Sequence, residues 1–242
     1  LHTLRTLDDC LAIRRALDAS PRVVVVGAGF IGAEVAATCR QLGLEVTLLE
    51  SLPTPMARVL HPAVGAVVAA AHADQGVDVR LGCGVAAIEG EGRVERVRLQ
   101  DGTALPADLV VVGIGAVPNT GWLASSGLAL EDGVLCDAHC ATAAPDVVAA
   151  GDVARWHHAG LGATLRVEHW THAVEQAEAA AARLLAGPEG TPPFTPVPFV
   201  WSDQFDLKIQ ATGVLRPDDE MFVAHGSLEE RRFVALFGRA GR

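Results

Sequence analysis

Three glycines between residues 27 and 32, placed directly after a β-branched run and directly before a helical pattern, constrain this chain more than any other feature. Arg22 to Val26 reads as a short strand, since a run of β-branched residues favours extended backbone. Gly27-Ala-Gly29-Phe30-Ile31-Gly32 follows, and a helical pattern from Ala33 to Leu42 ends at Gly43. Val46-Thr-Leu-Leu predicts a second parallel strand ending in Glu50, so residues 22–50 form one βαβ unit. In such a unit Gly27 permits the tight turn, Gly29 admits phosphate to the backbone, and Gly32 lets helix and strand pack. The helix N-terminus adds free N–H groups and a positive dipole end, which together suit a pyrophosphate.

The spacing alone is weak evidence for a dinucleotide, but the strand before it, the helix after it and an acidic residue closing the next strand supply the required context. Glu50, 18 residues past Gly32, can accept both hydroxyls of an adenosine ribose and would repel a 2′-phosphate. NAD(H) is therefore expected in preference to NADP(H). Arg58, in the loop that follows, either binds phosphate, stacks on adenine or is a solvated loop arginine. Glu34 sits in the first helical turn, where the dipole stabilises a carboxylate whatever its role, so the motif does not assign it.

Beyond Glu50 the alternation continues. A Pro-rich loop leads to a helix opened by His61-Pro62 and running to about Gln75, then Gly76 and a strand over Val77–Arg80. Residues 85–99 change texture to short strands separated by Gly90, Gly92 and Asp101-Gly102, an antiparallel excursion within a parallel domain. Leu109–Val112 resumes the parallel sheet. Gly113-Ile114-Gly115-Ala-Val-Pro118-Asn-Thr reads as a crossover to a second domain, which holds a strand ending in Gly151-Asp152 and an alanine-rich helix from about His172 to Ala186. Pro188 to Pro198 reads as a linker.

Composition narrows the classes. Half the residues are apolar and 20% are charged, which fits a globular α/β protein and excludes a disordered one. A net charge of −10 argues against a nucleic-acid partner. No apolar run reaches the roughly 18–20 residues of a spanning helix, and the N-terminus lacks a secretory pattern. Five scattered cysteines fit reduced thiols in a cytoplasmic protein, and Cys136-x3-Cys140 has the wrong spacing for a thioredoxin-type pair, so both read as small apolar residues. His157-His158, and His169-x2-His172 with Glu168, complete no metal-ligand set, so no metal is expected and His157-His158 read as loop residues. His61 and His72 read as helix positions without chemistry, and Arg231-Arg232 as a solvated pair.

With Gly27 to Glu34, the Gly113–Thr120 crossover and Ala150-Gly151-Asp152-Val in view, the chain resembles the two-dinucleotide flavoprotein reductases. Val167-Glu168-His169-Trp170-Thr-His-Ala173 with Gln176-Ala, and Trp201-Ser-Asp-Gln-Phe-Asp, resemble more specifically the FAD-dependent NAD(P)H ferredoxin reductases of P450 and Rieske-type oxygenase systems. The resemblance covers essentially the whole chain. It implies an NAD(H)-binding Rossmann-like domain over 1–115, the returning half of an FAD-binding domain over 116–195, and the start of an α+β C-terminal domain over 196–242. It places Glu34 by the nicotinamide carboxamide, and Gly113, Ile114 and Gly115 in the NAD site with Phe30 and Ile31 of the motif. It puts Asp152, with Gly151, on the ribitol of FAD, and Glu168, His169, Trp170 and Ala173 near the isoalloxazine. Trp201 then lies toward the face where electrons leave for a [2Fe-2S] ferredoxin, although a Trp in a Pro-flanked strand is more often core.

In that chemistry the cofactors carry the hydride and the electrons, so no catalytic acid, base or nucleophile is expected. A basic face for an acidic ferredoxin would have to be local, given the negative net charge. Nothing upstream of Gly27 supplies the family's first Gly-rich fingerprint, and the chain stops within its C-terminal domain, so a fragment of a longer reductase is expected. Other readings are a disulfide reductase, NADH oxidase or nitrite-reductase flavin module, or a non-catalytic NAD-binding module akin to the apoptosis-inducing-factor relatives.

Overall fold

A computed structural model describes residues 1–187 and 190–239. They form two compact units: Leu1–Gly115 with Ser202–Ile209 and Leu215 onward, and Ala116–Trp201 with Gln210–Val214.

The first unit opens with β1 (His2–Thr3) and α1 (Leu7–Leu17), followed by β2 (Val23–Val26), α2 (Phe30–Gln41) and β3 (Val46–Leu49). Next come α3 (Pro62–Asp74), β4 (Asp78–Arg80), β5 (Val85–Glu89), β6 (Arg96–Leu99), β7 (Ala104–Pro106) and β8 (Leu109–Val112). The main sheet runs β1-β8-β2-β3-β4 with every pairing parallel. A parallel sheet must be covered on both faces, and the valines of β2 show how this is met. Val23 and Val25 pack with Ile13 of α1 and Ala36 and Cys39 of α2, while Val24 packs the other way against Val97, Leu99 and Leu105. The second cover is the antiparallel sheet β5-β6-β7, the excursion read from the Gly-rich turns.

α2 begins at Phe30, three residues before the start read from the pattern, so Gly32 lies inside the helix. α3 starts at Pro62 with His61 as its cap: the Nδ1 of His61 accepts from the Ala63 N–H at 3.2 Å.

The second unit contains β9 (Val134–Cys136), β10 (Ala154–His158), β11 (Ala163–Leu165) and α4 (Trp170–Ala186). β9 and β10 run parallel and β11 returns antiparallel, around a core of Val134, Cys136 and the fully buried Trp156. Two readings change here. Residues 146–152 are not a strand: Asp146 and Gly151 have φ of +57° and +75°, which interrupts extended backbone, and a 3-10 turn occupies Gly151–Val153. His157 and His158 lie on β10 rather than in a loop, with His158 buried and its Nε2 3.0 Å from the Pro196 carbonyl.

The Pro-rich segment is no free linker. Pro188 and Glu189 lie outside the described residues, but Phe194 donates its N–H to Ala138 O at 2.8 Å, receives the Trp156 indole N–H at 3.2 Å, and packs on the Trp156 ring. Proline lacks the donor for a regular strand, yet its carbonyls remain free to accept, and the core supplies donors.

The chain ends in two hairpins, β12 (Phe199–Gln204) with β13 (Leu207–Thr212), and β14 (Glu220–Ser227) with β15 (Arg232–Gly238). Arg231, between the last two strands, is not simply solvated: it pairs with Asp74 at the end of α3 at 2.5 Å.

Candidate functional site

The glycine loop joins β2 to α2, and each glycine has its own geometric reason. Gly27 has φ +99°, and a Cβ there would stand 2.4 Å from the Gly113 carbonyl oxygen. A Cβ on Gly32 would stand 1.9 Å from the Gly27 carbonyl oxygen. Both glycines are therefore required by packing of the loop on itself and on the end of β8. Gly29 is different: a Cβ there meets nothing within 4 Å. It is the cap residue of α2 and brings no side chain to the first N–H groups of the helix. That is the cradle a pyrophosphate fits.

Glu50 closes the cradle on one side. Its Oε2 accepts the Ala28 N–H at 2.8 Å, and its Oε1 accepts from the Leu52 N–H at 3.0 Å and the Ser51 hydroxyl at 3.2 Å. The carboxylate thus ties the glycine loop to the end of β3 and, with three of its roughly four acceptor sites taken, keeps one for a ribose hydroxyl. The opposite wall is Gly113-Ile114-Gly115. Ile114 lies against Gly27 and is largely exposed, and Gly115 has φ +116° with the exposed Arg58 guanidinium beside it. The structure thus brings Arg58 to the rim of this loop. Ile31 is half exposed on the first turn of α2, whereas Phe30 packs on a cluster containing Ala33, Met56, Leu60 and Val68 and so serves the fold.

Glu34 is held by residues that the sequence did not nominate. Its Oε1 accepts the Ser202 hydroxyl at 2.5 Å, Ser202 Oγ accepts from Gln204 Nε2 at 2.9 Å, and Gln204 Oε1 lies 2.9 Å from His72 Nε2. Ser202, Gln204 and His72 are all buried. Burial pushes the His72 pKa down, against the opposing bond to Gln204. A sequence signal was present: period-two alternation along β12 sends Ser202 and Gln204 to one face and Trp201 and Asp203 to the other.

The second unit gathers the other predicted residues. Gly151 donates its N–H to the buried Gln176 Oε1 at 2.9 Å, and its bare Cα faces Ala173, whose Cβ would lie 3.4 Å from a side chain there. Asp152 is exposed, and its carbonyl receives Arg166 at 3.2 Å. Glu168 is committed to an ion pair with the same Arg166, which also binds Asp132. His169 caps α4 with a buried Nδ1 that has no partner, and burial lowers its pKa. One turn on, His172 is buried against Trp156, and desolvation, helped by the nearby His169, brings its pKa down to about 4. Trp170 is 72% exposed and meets Trp201, 40% exposed, edge to face at 6.4 Å, with Phe199 stacked on Trp201. Trp201 is thus not a core residue, against the composition-based preference. The exposed aromatic pair, the open Asp152 turn and the orphaned His169 nitrogen suit an isoalloxazine with its ribitol chain.

Cys136 and Cys140 are buried, and burial raises their pKa to about 11 and about 12. Among the described residues no group of three His, Cys, Asp or Glu side chains could hold a metal ion, and no helix is long and apolar enough to cross a membrane.

The chain has recognisable relatives among known proteins. The family described as pyridine nucleotide-disulphide oxidoreductase matches residues 1–177, and the reductase C-terminal family matches residues 199–242. The 5,5′-dehydrodivanillate O-demethylase ferredoxin reductase subunit of Sphingobium is 42% identical over the whole chain, which covers 58% of that protein. Putidaredoxin reductase of Pseudomonas putida is 38% identical over 99% of the chain and 56% of its own length. Among solved structures, the ferredoxin reductase for the CYP199A2 system of Rhodopseudomonas palustris superposes with a TM-score of 0.93 at 39% identity, over 99% of this chain and 58% of that one. The putidaredoxin reductase in its covalent complex with putidaredoxin gives 0.91 at 36%, over 99% and 57%. The chain therefore spans a little over half the length of the relatives it matches.

Proposed function

Because the chain belongs to the pyridine nucleotide-disulphide oxidoreductase family, we propose that it carries the NADH site and part of the FAD site of a cytoplasmic reductase delivering electrons to a [2Fe-2S] ferredoxin of a P450 or Rieske oxygenase. Residues 1–115 form the NADH-binding part, 116–195 the returning half of the FAD part, and 196–242 the beginning of a C-terminal part. The observation that carries the reading is the glycine loop, closed at Gly27 and Gly32 and open at Gly29, with Glu50 tied across it.

Gly29 and the first turn of α2 bind the pyrophosphate, Glu50 takes the adenosine ribose and disfavours a 2′-phosphate, and Arg58 flanks the phosphates beside Gly115. Glu34 faces the carboxamide of the nicotinamide. In the second unit Asp152 and Gly151 hold the ribitol, Glu168, His169, Trp170 and Ala173 line the isoalloxazine, and Trp201 shields its exit edge. When bound, the flavin supplies a hydride acceptor that releases electrons singly. The protein's contribution is alignment and exclusion of water, and no side chain is asked to move a proton. A disulfide-reductase reading needs a reactive thiolate, and Cys136 and Cys140 are buried with raised pKa values, the opposite of an activated pair.

The test is steady-state reduction of a [2Fe-2S] ferredoxin by the flavin-loaded protein with NADH, run beside NADPH and a low-molecular-weight disulfide. Ferredoxin reduction preferring NADH is expected. Disulfide reduction without ferredoxin reduction would overturn the proposal.

A further inference from the structure

We infer that Ser202, held by Gln204 and His72, is a positioning residue for Glu34 and, through it, for the amide of the nicotinamide ring. The inference rests on the reading of Glu34 as the partner of that amide. The chain of contacts is short at each link: 2.9 Å from His72 Nε2 to Gln204 Oε1, 2.9 Å from Gln204 Nε2 to Ser202 Oγ, and 2.5 Å from Ser202 Oγ to Glu34 Oε1.

The direction of the protons follows from what each group can donate. A serine hydroxyl has one proton, and Ser202 Oγ already accepts from the Gln204 amide, so that proton goes to the Glu34 carboxylate. The Gln204 carbonyl oxygen is then left for the N–H of His72, whose Nδ1 is buried without a partner. The ring is the Nε2–H tautomer, and Phe205 meets it edge-on at 5.0 Å, which fixes its plane. Reversing the Gln204 amide would turn the Ser202 proton away from Glu34 and leave two oxygens 2.5 Å apart with none between them. Every link therefore specifies the next, from a buried imidazole to a half-buried carboxylate on the first turns of α2.

The consequence concerns the free oxygen. With Oε1 occupied by Ser202, the carboxylate plane is set and Oε2 is left as an acceptor in one orientation, suited to a ligand N–H₂ group. A carboxylate lacking this support would rotate about its terminal torsions, which are soft. Selectivity for a ring carboxamide over a ring ketone should therefore depend on Ser202, whereas binding of the ADP portion at the glycine loop and Glu50 should not.

Three ligands separate these effects in the flavin-loaded protein, by calorimetric titration: NAD⁺, its 3-acetylpyridine analogue, which lacks the amide N–H₂, and ADP-ribose, which lacks the ring. The unaltered protein should prefer NAD⁺ to the analogue about tenfold, the worth of one hydrogen bond to a charged acceptor. Ser202→Ala should bring that preference to within about twofold and leave ADP-ribose affinity unchanged, and Ser202→Thr, which keeps the hydroxyl, should restore it. Gln204→Met, which removes the donor that orients Ser202, should give the same loss if the alanine variant does not fold. A parallel fall in ADP-ribose affinity would make the chain a clamp on the fold only, and retained ring preference would sever Ser202 from Glu34; either overturns the inference. If the unaltered protein binds ADP-ribose and NAD⁺ but shows no ring preference, the role of Glu34 fails while the dinucleotide site stands. If it binds neither, the underlying reading of residues 22–50 fails.

Discussion

The two outer glycines of the loop and the middle one make opposite predictions, and substituting Gly29 and Gly32 separately tests both. Gly32→Ala places a Cβ 1.9 Å from the Gly27 carbonyl oxygen and 3.0 Å from its carbon, both backbone atoms that cannot rotate away. Overpacking of this kind costs up to about 3 kcal/mol, and alanine in a helix returns about 1 kcal/mol relative to glycine. The net loss is about 2 kcal/mol, which lowers the melting temperature by about 4–8 °C for a chain of this size. Gly29→Ala meets nothing within 4 Å and has φ −71°, which alanine adopts freely. Only the poorer capping propensity of alanine remains, about 1 kcal/mol or less. Its methyl group, however, projects into the space where a pyrophosphate would lie, so NADH affinity should fall at least about tenfold. The assay pairs thermal melting with NADH titration for both variants. A Gly29→Ala protein that binds NADH normally would refute the placement of the pyrophosphate, and a Gly32→Ala protein with unchanged melting would refute the packing argument.

Glu50→Gln removes the charge that would exclude a 2′-phosphate and keeps one acceptor oxygen, enough for the Ala28 or the Leu52 N–H but not both; the NADH-to-NADPH affinity ratio should fall about tenfold, and an unchanged ratio in paired titrations would remove Glu50 from the ribose site. Trp156→Ala empties the centre of the second unit and should destabilise it by about 3–5 kcal/mol, read by chemical denaturation; a loss under about 1 kcal/mol would contradict its burial. His172 titrates at about 4 in the folded protein against an ordinary 6.5, so between these values the unfolded chain binds the proton that the fold refuses. Stability should therefore be fully present above pH 6.5, decline as pH falls toward 4 and level off below it. Denaturation of a His172→Gln variant should show a shallower decline across that window, and an identical slope would discount His172. Trp201→Ala should raise the KM for ferredoxin about tenfold while leaving NADH-dependent reduction of a small dye unchanged, as for removal of an exposed aromatic anchor; loss of both activities would place Trp201 in the flavin site alone.

Much of the first unit was legible because its signals are local. The valine run, the glycine spacing and Glu50 fall within 29 residues, and the parallel sheet follows from that unit and its repetition. Glycine and turn signals likewise announced β5, β6 and β7. What stayed hidden depends on distant contacts. Ser202 and Glu34 are 168 residues apart, and Gln204 and His72 are 132 apart, so no window along the chain joins them. The Asp146–Asp152 run had strand composition, and only positive φ at Asp146 and Gly151 shows why it is not a strand. The Pro-rich segment looked like a spacer because proline and glycine signal a break in regular structure but say nothing of its carbonyls, which here accept from Trp156 and approach His158.

The alternation along β12 explains how four consecutive residues carry unlike tasks. Ser202 and Gln204 are buried with their hydrogen bonds satisfied by one another, by Glu34 and by His72, so replacing either leaves a polar group stranded. Trp201 and Asp203 point the other way and are exposed, Trp201 against Trp170 and Asp203 paired with Lys208 at 3.1 Å. An exposed ion pair contributes little to stability, and an exposed indole contributes less than a buried one, so selection for folding alone accounts only for Ser202 and Gln204. The exposed pair needs a second explanation, and the proposed function offers one for the indole, as surface toward a ferredoxin. A shift of register by a single residue would bury the indole and expose the serine, severing Glu34 from its donor and removing the aromatic surface at once. One register of this short strand therefore sets both the Ser202–Glu34 contact and the exposure of the indole.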